Sequence, residues 1–216
     1  MDSPLHLEIG DFWLHGTRHR FEKWARPPIS IKFSQALIPH SFVSLSADLK
    51  YALLHMGSHG GICFSRLLPA SRTLDLRIRS DDSLLLWKKV RLTNLGSKYC
   101  GLRSAEEWHM ACKTGSVLRF VFSSEKDDPE LFAQQKIFQS TACDNLLRLN
   151  ASIYIQNFTR RWIETVIGSV KSMGYDAVIC NELERSISIT ASTQLFVFNV
   201  DYLSQPDWIA LPRCVG

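Results

Sequence analysis

Hydrophobic and polar positions fall into short alternating runs at the two ends of this chain and into helical periods between them. The stretch "DFWLHG" (11–16) predicts a short strand ended by glycine, and "RPPISIKFSQALIPHS" (26–41), bracketed by prolines, predicts a loop. "FVSLS" alternates as a strand does. Ser46 then offers an N-cap, and Leu49, Ala52, Leu53 and Met56 recur at helical spacing up to Gly57. Residues 61–79 predict two short strands either side of Pro69. "SLLLWKKVRL" and "SAEEWHMACK" predict helices, "SVLRFVF" (116–122) a strand, and "DPELFAQQKIFQS" a helix entered through Asp-Pro. The clearest helix is "SIYIQNFTRRWIETVIGSVKSMG". There Ile155, Phe158, Trp162, Val166, Val170 and Met173 keep an i, i+3/i+4 rhythm, and Gly174 stands where a C-cap glycine belongs. "YDAVICN" (175–181) predicts a buried strand, and "SISITAS" and "TQLFVFNV" predict two more. The sum is an α+β domain with strands at both ends and a helix-rich insertion at about 80–150.

Composition narrows the picture. With 216 residues, 45% hydrophobic and 21% charged, the chain suits one globular domain over 1–216 and excludes a disordered one. A formal charge of +4 without clustered Lys/Arg allows an anionic ligand and argues against a nucleic-acid-binding module built on "RHRF" and "RIR". The six cysteines show no CxxC and several lie in apolar runs, so they read as small hydrophobes in a reducing compartment. The histidines lack ligand spacing, and no metal is expected. No apolar run nears the roughly 20 residues that span a bilayer, so no membrane partner is expected. "MDSPLHLEIG" carries no signal-peptide core.

Candidate chemistry begins at "WLHGT" (13–17), where two core residues give way to a histidine, a glycine and a threonine. About 30 residues on comes "FVSLSADLKYAL", then "GICFSRLLPASRTLDLR". Near the C-terminus an amphipathic helix leads into "GYDAVICNE" and "TQLFVFNVDYL". This order resembles the ADP-ribosyltransferase fold, in particular the His-aromatic-Glu branch of diphtheria toxin-like enzymes and poly-ADP-ribose polymerases. The resemblance covers roughly 11–79 and 155–203, and the segment between matches nothing nameable.

The resemblance implies a split mixed sheet with a central cleft and an NAD-dependent mono-ADP-ribosyltransferase. NAD enters as substrate, and a protein, or a nucleic acid, accepts the ADP-ribose. His15 matches the motif histidine that bonds the adenosine ribose. Gly16 matches the glycine whose backbone clamps the nicotinamide carboxamide, and Thr17 adds a hydroxyl. Phe42 stands where the family stacks a tyrosine, and Tyr51 supplies the second aromatic face. Ser44 or Ser46 would bond the carboxamide. Gln194 takes the place of the catalytic glutamate: it keeps a hydrogen bond and loses the charge. The family also suggests a toxin or effector, either cytoplasmic or delivered into a target cell without a cleaved signal.

A second assignment stays open. "SLS" (44–46) and "ELE" (182–184) resemble the Ser-Thr-Ser strand and Glu-x-Glu of the Arg-Ser-Glu branch, which would make Glu184 and Glu182 the catalytic pair. A rival to both is a catalytically inactive transferase fold that binds NAD or a partner protein, which the residues at 42 and 194 favour.

Overall fold

The computed structural model describes residues 12–25, 38–56, 60–99, 103–119, 125, 128–140, 142, 144–183 and 191–210. Seven strands among them make one sheet: β1 (Trp13–Thr17), β2 (Val43–Ser46), β3 (Gly61–Ser65), β4 (Thr73–Asp75), β5 (Ala177–Leu183), β6 (Ala191–Val197) and β7 (Asp207–Trp208). Their spatial order is β4-β5-β6-β2-β1-β3-β7. Only β4 and β5 run parallel, so the sheet is mixed and the architecture is α+β. The N-terminal strands thus sit directly beside the C-terminal ones, with β2 bonded to β6 from Val43↔Val197 to Ser46↔Gln194.

Seven α-helices among the described residues accompany the sheet: α1 (Leu49–Met56), α2 (Asp81–Arg91), α3 (Asn94–Tyr99), α4 (Ala105–Thr114), α5 (Ser116–Arg119), α6 (Pro129–Gln139) and α7 (Asn145–Ser172). Their starts follow capping chemistry. Ser80, Ser104 and Asp128 each accept a backbone N–H from the first turn, and Pro129 occupies a position whose N–H has no helical partner in any case. Met173 caps the C-terminus of α7, and Gly174 follows with φ at +79°.

The two sheet faces have separate cores. One carries Leu74, Val178, Cys180 and Phe196, packed against α2, α4, α5 and α7 through Leu86, Trp108, Leu118, Trp162 and Val166. The other carries Trp13, Val43, Leu45, Ala177, Leu195 and Val197, covered by Trp24, Leu67, Val200 and Leu203. Alternation with period two assigns each strand residue to its face. The segment leading into β2 is tied to α7. Arg160 donates to the Ile38 carbonyl, Lys171 donates to Ser41, and Glu164 accepts from Ser41 N–H and His40.

Three sequence expectations are corrected, and a fourth lies mostly outside the described residues. Ser116–Arg119 is helical, not extended, because Gly115 adopts φ +78° and restarts the chain as a turn, and the Val117 carbonyl accepts the Trp162 indole N–H. Residues 120–122 of that expected strand lie outside the described residues. Ser46 does not cap α1: Asp48 does, accepting from Lys50 N–H, while Ser46 stays in β2. α7 starts at Asn145, seven residues before the periodic stretch that revealed it. Of "SISITAS", residues up to 190 lie outside the described residues, and β6 begins at Ala191.

α1 lies on β1 so closely that a Cβ at Gly16 would stand 1.7 Å from the Ala52 carbonyl oxygen. Gly16→Ala must therefore displace the helix, and we expect a loss of about 3 kcal/mol in urea unfolding. Gly168, inside α7 with no atom within 4 Å of its hypothetical Cβ, is the control. Gly168→Ala should gain about 0.5–1 kcal/mol by helix propensity alone.

Candidate active site

β1 and β2 part almost as soon as they meet. Their ladder holds one pair, Leu14↔Ser46. The next residues able to bond across would be Gly16 and Ser44. Gly16 stands opposite Ile62 of β3, and the Ile62 carbonyl accepts from Ile209 N–H on the far side. In an antiparallel ladder both members of such a pair face away from each other. The Gly16 N–H and C=O accordingly point towards β2, into the parting. Ser44 does not close it, and its carbonyl instead accepts the ring Nδ1–H of His15 at 2.8 Å.

That bond defines His15. A carbonyl only accepts, so Nδ1 carries the proton, and in the neutral ring Nε2 keeps its lone pair. Burial, which disfavours the cation, holds the His15 pKa below its ordinary value; the Ser44 carbonyl opposes this and nearby His55 reinforces it. Around the ring stand Trp24 at 5.3 Å and Phe21 at 6.0 Å, both edge-on, with Trp208 beyond Phe21. The Trp24 and Trp208 indole N–H groups donate to the Ser204 and Phe21 carbonyls, which fixes this aromatic wall. The exposed Arg20 lies 5.3 Å over Trp208.

On the opposite face, under α1, the apolar surface of β5, β6 and β2 turns polar. Register sets Glu182 opposite Ser192, and Cys180 and Ser46 opposite Gln194. Gln194 Nε2 donates to the hydroxyls of Ser46 and Ser192, each at 3.1 Å, and those hydroxyls lie 3.2 Å apart. Gln194 is 0% exposed and its Oε1 has no partner among the described residues. Tyr51, from α1, donates its phenol O–H to Glu182 Oε2 at 2.7 Å. Its ring lies 4.9 Å from His55.

The structure thus brings together Gly16, Ser46, Tyr51 and Gln194 beneath α1, with His15 on the other face of the same strand pair. Two expected residues stand apart. Phe42 is 3% exposed and stacks on Phe196 at 4.4 Å, inside the helical core and away from the parting. The Thr17 hydroxyl is used locally, bonding the carbonyl and N–H of His19 in the turn that ends β1. Glu184 lies outside the described residues. Phe21, Trp24, Trp208 and Ser192 were not singled out in the sequence. Only Ser192 had a readable signal, standing two residues before Gln194 on one strand face. Among the described residues no group of three or more His, Cys, Asp or Glu could hold a metal, and no helix is long and apolar enough to cross a membrane. No family model, curated protein or solved structure matches this chain.

The lowered His15 pKa has a measurable consequence. Protonation is harder in the folded chain than in the unfolded one. The stability involved is therefore complete above the ordinary value of 6.5 and is lost as pH falls towards the folded value. Glu164 also has a lowered pKa: burial pushes it up, but the His40 and Ser41 hydrogen bonds outweigh that. Its loss of stability begins only below its ordinary 4.5. Urea midpoints should fall between roughly pH 7 and 5 in the wild type. His15→Asn, which keeps a donor for the Ser44 carbonyl, should flatten that limb.

Proposed function

We propose that the chain is an NAD-dependent ADP-ribosyltransferase that binds NAD at the parting of β1 and β2. The observation that carries this reading is the unclosed ladder, which leaves the Gly16 N–H and C=O aimed into the gap. A donor and an acceptor on one residue match a primary carboxamide, which offers an acceptor C=O and a donor NH₂. The absent Cβ at Gly16 is what lets α1 close over that strand. His15, neutral with Nε2 as acceptor, suits a ribose hydroxyl beside the aromatic wall. Tyr51 supplies an aromatic surface from α1.

The reaction breaks the C1′–N bond of the nicotinamide ribose. The bonding pair leaves with nicotinamide, and positive charge spreads over C1′ and the ring oxygen. An acceptor group on a protein, or on a nucleic acid, then bonds to C1′ and releases a proton. Gln194 suits a positioning role, holding the Ser46 and Ser192 hydroxyls, since none of its atoms reaches solvent.

That burial also favours one second reading, an inactive transferase fold that retains nucleotide binding. A charge-free, fully enclosed amide at 194 stabilises no developing cation on its own. Nicotinamide release from NAD by the purified protein, with and without cell lysate, separates the two. The enzyme reading expects turnover, with kcat/KM reduced about tenfold in His15→Ala through loss of a hydrogen bond and its packing. NAD retained without nicotinamide release in either condition would establish the inactive fold, and no NAD binding would end both readings.

A further inference from the structure

The gap between β1 and β2 has a mouth, and one lip of it is the chain that enters β2. The single pair Leu14↔Ser46 fixes what an unbroken antiparallel ladder would do next. It would set Gly16 against Ser44 and then Arg18 against Phe42, and the gap would be shut. The chain does not run there. Ile38–Phe42 lies on α7, where three charged side chains hold its backbone. Arg160 donates to the Ile38 carbonyl at 2.8 Å, and Glu164 accepts the Ser41 N–H at 2.9 Å. Lys171 donates to the Ser41 carbonyl at 3.1 Å and to its hydroxyl at 2.8 Å. Positions 160, 164 and 171 recur near whole turns of the helix, so one stripe of α7 makes all of these bonds. Glu164 also meets His40 at 3.3 Å, and Phe42 is stacked on Phe196 in the helical core.

We infer that Arg160, Glu164 and Lys171 are positioning residues that hold the parting open by keeping the entry to β2 on α7, and so set the fraction of molecules able to take NAD. Their hold on the strands rests on sheet geometry; its consequence for NAD rests on the transferase reading. Drawing Ser44 onto Gly16 would carry Ser41, three residues upstream, off the helix. Charge-assisted bonds to Ile38 and Ser41 would be lost to gain neutral backbone bonds between the strands, so the open form wins. In the closed form the Ser44 carbonyl takes the Gly16 N–H in place of the His15 ring, and the Gly16 donor is used up. The three residues touch no substrate and act on population alone. If a fraction f stays open, the apparent Kd rises by 1/f, and saturating NAD restores the open form, so kcat is kept. The same fraction slows exchange of the Gly16 amide, which the open form presents to water.

The test compares the full-length wild type with Arg160→Met, Lys171→Met, the two combined, and Arg161→Met, an exposed neighbour on α7, as control. Each is checked for folding by circular dichroism. NAD binding is measured by calorimetry, nicotinamide release at saturating NAD, and Gly16 amide exchange without NAD by NMR. The double variant should raise the NAD Kd about tenfold and slow Gly16 exchange by the same factor, with kcat within about twofold of wild type. Arg160→Lys, which keeps a donor for Ile38, should stay near wild type, as should Arg161→Met. If the double variant does not fold, the single variants carry the same comparison at a smaller factor. Folded variants with wild-type Gly16 exchange overturn the inference and leave the transferase reading standing, whatever their Kd. A wild type that binds no NAD ends the transferase reading, and Gly16 exchange alone then decides whether α7 holds the strands apart.

Discussion

The contact on which the rest of this site depends is that of α1 with β1. At Gly16 the helix backbone stands where a side chain would be, with the Ala52 carbonyl 1.7 Å from the position of a Cβ. A helix normally rests on a sheet through interdigitating side chains. Here one strand residue gives up its side chain, and the helix settles lower on that side. The descent carries Tyr51 across the sheet to Glu182 on β5 and leaves α1 lying over β1, β2 and β3. The lowered helix covers the strands beside the place where β1 and β2 separate.

The separation has its own cause. In an unbroken ladder the Ser44 carbonyl would meet the Gly16 N–H. It meets the His15 imidazole instead, at 2.8 Å, so a side chain of one strand satisfies the backbone of the next. This satisfies the Ser44 acceptor without joining the strands, so the gap opens without cost at the Ser44 carbonyl. One bond thus fixes the histidine tautomer and holds the strands apart. The aromatic wall of Phe21, Trp24 and Trp208 keeps the ring in place from the far side.

Much of the fold was legible in the sequence, because strands and helices write different periods. β1, β2, β3, α1, α6 and most of α7 follow their hydrophobic spacing, and Pro69 separates β3 from β4 as expected. Misreadings came where local and tertiary forces disagree. "SVLR" is β-prone by composition, yet Gly115 and the Trp162 indole bond impose a helical turn. Ser46 has capping chemistry, but pairing with Gln194 keeps it in the sheet and Asp48 takes the cap. For the candidate site, motif order singled out His15, Gly16, Ser46, Tyr51 and Gln194, and the fold brings Gly16, Ser46, Tyr51 and Gln194 to one face of the sheet. Which face each occupies could not be read from motif order, since that depends on strand register. Phe42 is the instructive case: an aromatic at a motif position that register turns into the helical core, onto Phe196.

Register also explains where charge can reside. The face of β5 and β6 runs from Val178 and Phe196, under α4 and α7, through Cys180 and Gln194 to Glu182 and Ser192. Position 194 is the last enclosed step of that gradient. An ionised carboxylate there would lose its water and find two serine hydroxyls in return, a desolvation cost of several kcal/mol. A glutamine costs less. Its one orphaned oxygen is worth about 1–3 kcal/mol, and its NH₂ still ties both serines. Two residues further along the same face, Glu182 retains partial access to water and gains a phenol donor. A carboxylate is affordable at that position. In this sheet the amide braces from inside and the charge stands at the edge, where it meets solvent and the helix that α1 brings down upon it.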